Sequence, residues 1–472
     1  MKVKTSPYLK SIKPGLQYLV NELCDQFDYA SVLATDSVGK AFSVRTRSMD
    51  IRDFMGERGF VFRVIHQGRV AEISTNNIDV SAGQTRIELI QEFKQLLAHQ
   101  ARFSSALVDP STEDDTQIED NKEYGKPFDS IRSEEKLKQL KDIVETVGSK
   151  DERIVNVMVQ FVEVTVAKLF LSKKKDLMQT YPWSTGYIVI VAKGDKGVKM
   201  GFNSVSGMKG VELMDDLRAE IKTSLKNIDD TLKCETIEPG EYDVICTPDI
   251  TGLIAHEAFG HGVEMDMFVK NRAKAVEYID KPVASSLVNM HDGALGPLNV
   301  SSYAFDDEGT LAQDTRVIEE GILKRGISDA LSAMRLHTPA SGNGKRESFE
   351  RKAYTRMTTT YFTSGKNTVE EMISSIKKGY LLDGMESGME DPKNWGIQCV
   401  LSRAYEIVDG KLSGKVVGPV ILTGYVVDLL KSINMVSTDF EIMGSGFCGK
   451  GHKEWVKTAG GGAYIKAKAR LG

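Results

Sequence analysis

Apolar residues in the first half of the chain alternate between helical and strand spacing. Helical spacing predicts amphipathic helices at residues 14–28, 84–100, 133–147 and 213–225. Alternating or continuous apolar runs predict strands at residues 31–34, 41–45, 59–66, 69–74, 154–171, 187–192 and 198–206. Short polar turns join several of these strands, so we expect a largely antiparallel sheet. The acidic segment 109–130 contains few apolar residues, and we expect a solvated loop there.

The pattern changes at Ile237-Glu238-Pro239-Gly240, which is typical of a boundary between domains. The following half is richer in strand signals, at residues 242–247, 300–305, 398–408 and 415–422. A helix that begins near Pro248 lies among them. We therefore predict an α+β protein. An N-terminal domain at residues 1–235 would combine helices with an antiparallel sheet, and a β-rich C-terminal domain at residues 236–472 would carry the helix that begins near Pro248.

Composition narrows the functional classes. The chain has 472 residues, 41% hydrophobic and 27% charged, as in a soluble globular protein long enough for two domains. A net charge of −5 argues against nucleic-acid binding by bulk charge, since such domains are usually basic. The sequence contains no run of 18 apolar residues, so we expect no membrane span. The start of the chain does not resemble a signal peptide. Five scattered cysteines favour a reduced, cytoplasmic protein.

The clearest chemistry lies in the segment His256-Glu257-Ala258-Phe259-Gly260-His261-Gly262. Neutral imidazole is the commonest metal ligand, and a carboxylate beside two imidazoles can accept a proton from water. Their spacing is unusual, because side chains five residues apart point about 140° apart on an ideal α-helix. The two imidazoles can meet only if the turn is widened, as in a π-type bulge, or if the second lies beyond the helix end. We therefore predict a distorted turn at residues 258–261.

Two imidazoles do not complete a catalytic zinc site, which usually has three protein ligands. Cys448, in a glycine-rich segment, is the best candidate for the third, and Lys450 could favour its thiolate. His452 competes for this role, since its spacing from Cys448 would allow both to chelate one ion. Glu264 and Asp266 also compete, although a role in orienting an imidazole suits them better. The alternative for Cys448 is a buried free thiol.

This ligand set predicts hydrolysis of an amide, most plausibly in a peptide. Glu257 would take a proton from water and pass it to the leaving amine. Lys450, Arg356 and His452 are candidate accessory residues that could stabilise an oxyanion.

Taken together, these motifs resemble the TldD/PmbA family, on the TldD side and of archaeal type. The residues that carry the resemblance are Thr251-Gly252, the segment from His256 to Asp266, Asp307-Glu308-Gly309-Thr310, Arg356-Met357-Thr358 and Gly446-Phe447-Cys448-Gly449-Lys450. They span most of the second half, and the first half resembles the family only in its order of helices and strands. One departure is His452, at a position where the bacterial pattern has glutamine.

The resemblance implies a zinc metallopeptidase that acts on unfolded or short peptides. In the family, the residues matching His256, His261 and Cys448 bind one zinc ion per active subunit, and the residue matching Glu257 is the base. The resemblance also implies a homodimer, or a heterodimer with a PmbA/TldE-like paralogue that lacks the metal motif. Two alternatives stay open, namely a non-catalytic partner stabilised by zinc and an interaction protein that modulates toxins or gyrase.

Overall fold

The structure is a computed structural model, and it describes residues 1–81, 83–101, 108–109, 113–451 and 454–472. In the first half, the helices are α1 (Pro7–Cys24), α2 (Gly83–Gln100), α3 (Ser133–Gly148), α4 (Leu213–Ala219) and α5 (Ile221–Lys233). The strands are β1 (Tyr29–Arg45), β2 (Ser48–Asp53), β3 (Glu57–His66), β4 (Arg69–Thr75), β5 (Thr116–Asn121), β6 (Ile154–Ser172), β7 (Lys175–Gly194) and β8 (Gly197–Gly207). These strands form one sheet in the order β4-β3-β1-β6-β7-β5, with β2 paired to β1 and β8 to β7.

Two predictions for this sheet were wrong. The strands predicted at residues 31–34 and 41–45 are one strand, because the polar segment 36–39 between them lies within β1, which pairs along most of its length with β6. A Cβ atom at Gly39 would lie 2.8 Å from the carbonyl oxygen of Glu163, so this glycine allows a close approach of two strands rather than a turn. Part of the acidic segment forms β5, which pairs in parallel with β7 through backbone hydrogen bonds that need no apolar side chains.

The predicted helices are present, with differences at their ends. α1 begins before residue 14, because Ser6 accepts a hydrogen bond from the backbone N–H of Leu9 and Pro7 occupies the first turn. The helix predicted at residues 213–225 is interrupted at Glu220, so it becomes α4 and α5.

In the second half, the helices are α6 (Pro248–Leu253), α7 (Met265–Val269), α8 (Ala330–Leu336), α9 (Val369–Ser374) and α10 (Val426–Ser432). The strands that follow along the chain are β9 (Gly240–Cys246), β10 (Met290–Asp292), β11 (Thr315–Glu319), β12 (Ile322–Leu323), β13 (Gly344–Lys345), β14 (Tyr354–Thr355), β15 (Thr359–Phe362), β16 (Lys378–Asp391), β17 (Gly396–Val408), β18 (Lys411–Val417), β19 (Val420–Tyr425), β20 (Met435–Met443), β21 (Phe447–Cys448), β22 (Val456–Lys457) and β23 (Ala459–Leu471).

Eleven of these strands form a barrel-like sheet. Its path runs β12-β11-β10-β15-β23-β19-β17-β16-β9, and β9 pairs again with β23, so that β23, β19, β17, β16 and β9 close a ring. β13 pairs with β14 and β21 pairs with β22 in two separate ribbons. The largest hydrophobic core lies in this half and includes Cys448 and the buried face of the segment from Ile250 to Val263. The predicted α+β fold class is therefore confirmed.

The strand expected at residues 300–305 is not formed. Two of its backbone groups bond instead to the side chain of Gln179, which donates to the carbonyl of Phe305 and accepts from the N–H of Ala304. The strand predicted at 415–422 is divided between β18 and β19 by Gly418-Pro419.

Buried ion pairs join the sheet of the first half to a turn of the second half. Lys168 on β6 pairs with Asp307, and Arg63 on β3 pairs with Glu308. The acids of the segment 306–308 thus bind cationic side chains and backbone N–H groups, as expected for a tight polar turn. The division into domains at residues 235 and 236 stays a prediction. None of the helices in the described ranges combines the length and apolar character required to cross a membrane.

Candidate metal and catalytic site

The histidine segment leaves the barrel at the end of β9 and changes its helical pitch before the second histidine. α6 gives way to a π-helical turn at Ile254–Gly260 and then to a 3-10 turn at His261–Val263. The N–H of His261 donates to the carbonyl of His256, five residues earlier. The wider turn brings the centres of the two imidazole rings to 5.2 Å. The predicted distortion of this turn is confirmed.

Glycines allow this segment to pack against its surroundings. A Cβ atom at Gly252 would lie 2.5 Å from the backbone nitrogen of Gly461 on β23, so the helix touches the strand backbone directly. A Cβ atom at Gly260 would overlap the Sδ atom of Met357. The segment therefore lies closer to the barrel wall than a chain with side chains at these positions could.

Cys448 approaches the imidazoles from the other end of the sequence. It lies on β21, which pairs with β22, and it is 5% exposed. Its Sγ atom lies 3.4 Å from Nε2 of His261. One ligand atom from each of Cys448, His256 and His261 lies within 4.8 Å of the other two. The structure thus brings together the three side chains predicted as ligands.

The charges at these three groups depend on one another. Burial alone would raise the pKa of the Cys448 thiol, but the charge of His256 and hydrogen bonds with both imidazoles lower this pKa to about 4. In the same way, burial would lower the pKa of His256, but the Cys448 thiolate raises it. A thiolate is therefore the stable form of this cysteine, as metal binding requires.

Glu257 lies beside the imidazoles. Its Oε2 atom is 3.9 Å from Nε2 of His261, and its side chain is about one-fifth exposed (21%). Burial raises the pKa of the Glu257 carboxyl group above its ordinary value, although both imidazoles act in the opposite direction. A carboxylate that is shielded from water and has a raised pKa is suited to accept a proton near neutral pH.

Residues 239–460 match a family model described as the PmbA/TldA metallopeptidase C-terminal domain. A zinc metalloprotease TldD homolog of Saccharolobus solfataricus is 27% identical over 338 residues, which cover 71% of this chain and 75% of the relative. A metalloprotease of Synechocystis sp. is 24% identical over 467 residues, 98% of either chain. These findings support the TldD/PmbA family for this chain.

Solved structures show the same fold over nearly the whole chain. A Thermotoga maritima protein, described as a candidate modulator of DNA gyrase, superposes with a TM-score of 0.76 at 17% identity and covers 98% of this chain and 100% of its own. TldE from Thermococcus kodakarensis superposes with a TM-score of 0.72 at 19% identity, covering 97% and 99%. At these identities the likeness establishes the fold.

Glu264 lies behind the second imidazole. Its Oε2 atom is 3.2 Å from Nδ1 of His261 and 2.9 Å from Nζ of Lys450. Burial would raise the pKa of Glu264, but Lys450 and His261 lower it to about 2. Glu264 therefore orients the imidazole, as predicted, whereas Asp266 binds Lys450 and Lys270 instead.

The accessory residues have contacts different from those expected. Lys450 lies against Glu264 and Asp266, and the pKa of the thiol is lowered by the imidazoles rather than by Lys450. Arg356 is buried, and its guanidinium donates to the carbonyl oxygens of Cys448, at 2.6 Å, and Glu454. These contacts favour a role for Lys450 in positioning Glu264, and a role for Arg356 in positioning the strand of Cys448. Stabilisation of an oxyanion by either residue stays a prediction. His452 lies outside the described residues.

Lys450 offers a test of the charge that surrounds Glu264. We expect Lys450→Met to lower the free energy of unfolding by about 3 kcal/mol, because a buried carboxylate loses its closest cation. Urea unfolding of the metal-free protein measures this. Lys270→Met is the matched control, since Lys270 pairs with the same acid cluster but its side chain is 46% exposed, and its loss should cost at most about 1 kcal/mol. Equal losses would contradict the account.

Two neighbours of the site were not found from the sequence. Gly388 on β16 faces Glu257, and Glu390 on the same strand lies beside Gly262 with both carboxylate oxygens buried. Burial raises the pKa of Glu390 well above its ordinary value. Neither residue belongs to a recognisable motif, because only the folding of β16 against the π-helical turn brings them near the site.

Gly388 tests whether the position of Glu257 matters. A Cβ atom at residue 388 would lie 2.5 Å from Cγ of Glu257, so Gly388→Ala should displace the carboxylate. We expect peptide turnover to fall by about ten- to a hundred-fold, as small misplacements of reacting groups do, with metal content retained. Gly396→Ala is the control, since no atom lies within 4 Å of a Cβ at that position. Unchanged turnover in both variants would show that Glu257 has no part in the reaction.

Proposed function

We propose that this chain is a zinc-dependent peptidase that hydrolyses unfolded or short peptides. The observation that carries the proposal is the meeting of His256, His261 and Cys448 next to the carboxylate of Glu257. The names of the relatives, which include metalloproteases of the TldD type, agree with it.

The donor set fits a zinc ion. Two imidazoles and one thiolate are typical zinc ligands, and three protein ligands are usual where one position is left for water or substrate. The low pKa of Cys448 supplies the thiolate, and the contact of His261 with Glu264 fixes the ring so that Nε2 faces the sulfur. When bound, zinc would supply Lewis acidity to a water molecule and to a peptide carbonyl.

The residues of the chain would then perform the proton transfers. Glu257 would accept the proton of the attacking water and return it to the leaving amine, so that one carboxylate serves both steps. Its partial burial strengthens its interaction with the reacting groups, because the surrounding dielectric constant is low. Arg356 would hold the strand of Cys448 in place through the carbonyl of that residue.

Access to this site favours flexible substrates. Cys448 is nearly inaccessible, and the side chains of His261 and Glu257 are each only about one-fifth exposed (19% and 21%). An extended peptide segment can enter such a recess, whereas a folded domain cannot bring a backbone bond to it. We therefore propose unfolded or short peptides as the substrates.

The proposed assembly is a dimer, either of two copies of this chain or with a PmbA/TldE-like paralogue. The structural likeness to TldE supports the possibility of a pair built from two related folds. Light scattering of the purified chain, alone and mixed with such a paralogue, tests this assembly. The cytoplasmic location stays a prediction.

Metal analysis combined with peptide turnover tests the function. We expect about one zinc ion per chain, loss of turnover of an unstructured peptide when a chelator removes it, and recovery when zinc is restored. Turnover that is unaffected by metal removal would overturn the proposal. Zinc binding without turnover by the chain or its dimer would favour a non-catalytic role.

A further inference from the structure

A cavity of ≈ 830 Å³ lies between the two halves of the chain, and none of His256, Glu257, His261 and Cys448 lines it. Aromatic side chains from both halves line it, among them Trp183, Tyr303 and Phe447. Successive residues of a strand face opposite sides, so Phe447 faces this cavity while Cys448 faces the imidazoles. Concave apolar sites of this size commonly bind small organic ligands.

Some of the charged groups at the cavity wall form ion pairs. Lys168 pairs with Asp307, and Arg346 pairs with Glu72. Among the other acids, Glu57 accepts a hydrogen bond from a backbone N–H group at 3.4 Å, and Asp306 accepts hydrogen bonds from three backbone N–H groups. Glu347 and Glu350 also line the cavity, so its wall carries acids as well as bases.

Two lysines at the cavity wall lack an acidic partner among the described residues. Within the described part of the chain, neither Lys345 nor Lys457 has a carboxylate within ion-pair distance. The amine of Lys457 donates to the carbonyl of Ser445 at 3.0 Å and lies 4.4 Å from the ring centre of Phe447. The amine of Lys345 donates to the carbonyls of Lys457 and, at 3.5 Å, Met357.

The surroundings oppose a positive charge on these amines. Burial, aided by Arg356, lowers the pKa of Lys345 to about 7, although Asp307 and Asp292 act in the opposite direction. Burial and the charge of Lys345 lower the pKa of Lys457 well below its ordinary value. An anion bound in the cavity would favour the protonated, positively charged form of both amines.

We propose that this cavity binds an organic carboxylate with an aromatic or branched apolar body. The carboxylate would lie at the amines of Lys345 and Lys457, and the body would pack against Trp183, Tyr303 and Phe447. Amines that already lie beside aromatic rings favour a carboxylate on an apolar body over a strongly hydrated phosphate. The carboxyl-terminal residue of a peptide and a free small acid share this chemistry.

Calorimetric titration of the unaltered chain in the presence of a chelator tests the proposal, because no metal is then available to bind a carboxylate. The probes are 3-phenylpropionate, N-acetyl-phenylalanyl-phenylalanine and the amide of the same dipeptide. We expect at least one carboxylate to bind, and the dipeptide amide to bind at least about tenfold more weakly than the dipeptide acid or not at all, since charge-assisted hydrogen bonds are lost. Tighter binding of the dipeptide acid than of phenylpropionate would identify a peptide terminus as the ligand, and the reverse order would identify a free acid.

Variants localise the binding. Lys345→Met and Lys457→Met should each weaken carboxylate binding at least about tenfold, whereas Lys366→Met, the same change at an exposed lysine, should leave it unchanged. The proposal is overturned if no carboxylate binds, if the amide binds as tightly as the acid, or if both cavity variants bind as the unaltered chain does. Since no zinc or turnover is needed, failure here is distinguishable from failure of the proposed peptidase function.

Discussion

Glu257→Gln is expected to reduce peptide turnover by about 10²- to 10⁴-fold, the usual contribution of a positioned general base. Glutamine has nearly the same shape but cannot accept the proton of water. Because Glu257 is not among the three side chains that meet as ligands, the variant should retain its zinc and its free energy of unfolding. Steady-state kinetics on an unstructured peptide, with metal analysis of the same sample, measures both quantities.

The matched control for this experiment is Glu386→Gln, the same change at an exposed position of β16. It should leave turnover unchanged. If Glu257→Gln loses zinc as well as turnover, the carboxylate has a role in holding the metal. If this variant turns over peptide at the rate of the unaltered chain, Glu257 is not the base.

Cys448→Ser is expected to weaken zinc binding by more than the roughly 10- to 100-fold that is lost when a residue orienting a ligand is removed. A serine hydroxyl stays protonated near neutral pH, whereas the imidazoles hold the cysteine as a thiolate, with a pKa of about 4. Turnover should fall with the metal content. Competition with a chromophoric chelator measures the affinity.

Cys234→Ser is the control, because Cys234 is also buried and free but burial raises the pKa of its thiol. It should bind zinc as the unaltered chain does. Equal affinities in Cys448→Ser and the unaltered chain would remove Cys448 from the ligand set.

Local sequence patterns predicted the elements that depend on local physics. The helical spacing of Leu16, Leu19 and Leu23 marked α1, and all three side chains are buried. The five-residue spacing of His256 and His261 predicted a distorted turn, because two such side chains cannot meet on an ideal α-helix, and the structure shows a π-helical turn there. These inferences needed only the neighbouring residues.

Features that depend on distant partners were not predictable in this way. The strand β5 exists because β7 offers it an edge, and the backbone at residues 300–305 turns to the side chain of Gln179 rather than to another strand. Gly388 acquires a role only because β16 passes Glu257 in the folded chain. Similarly, the short spacing between Lys450 and Cys448 suggested that Lys450 favours the thiolate. In the folded chain, the Lys450 amine binds Glu264 and Asp266 instead.

The most direct test of the account is diffraction from crystals of the zinc-loaded protein at wavelengths on both sides of the zinc absorption edge. The account predicts one anomalous peak per chain, within bonding distance of His256, His261 and the sulfur of Cys448, with the Glu257 carboxylate beside it. A peak bound elsewhere, or a Cys448 side chain turned away from the two imidazoles, would contradict it.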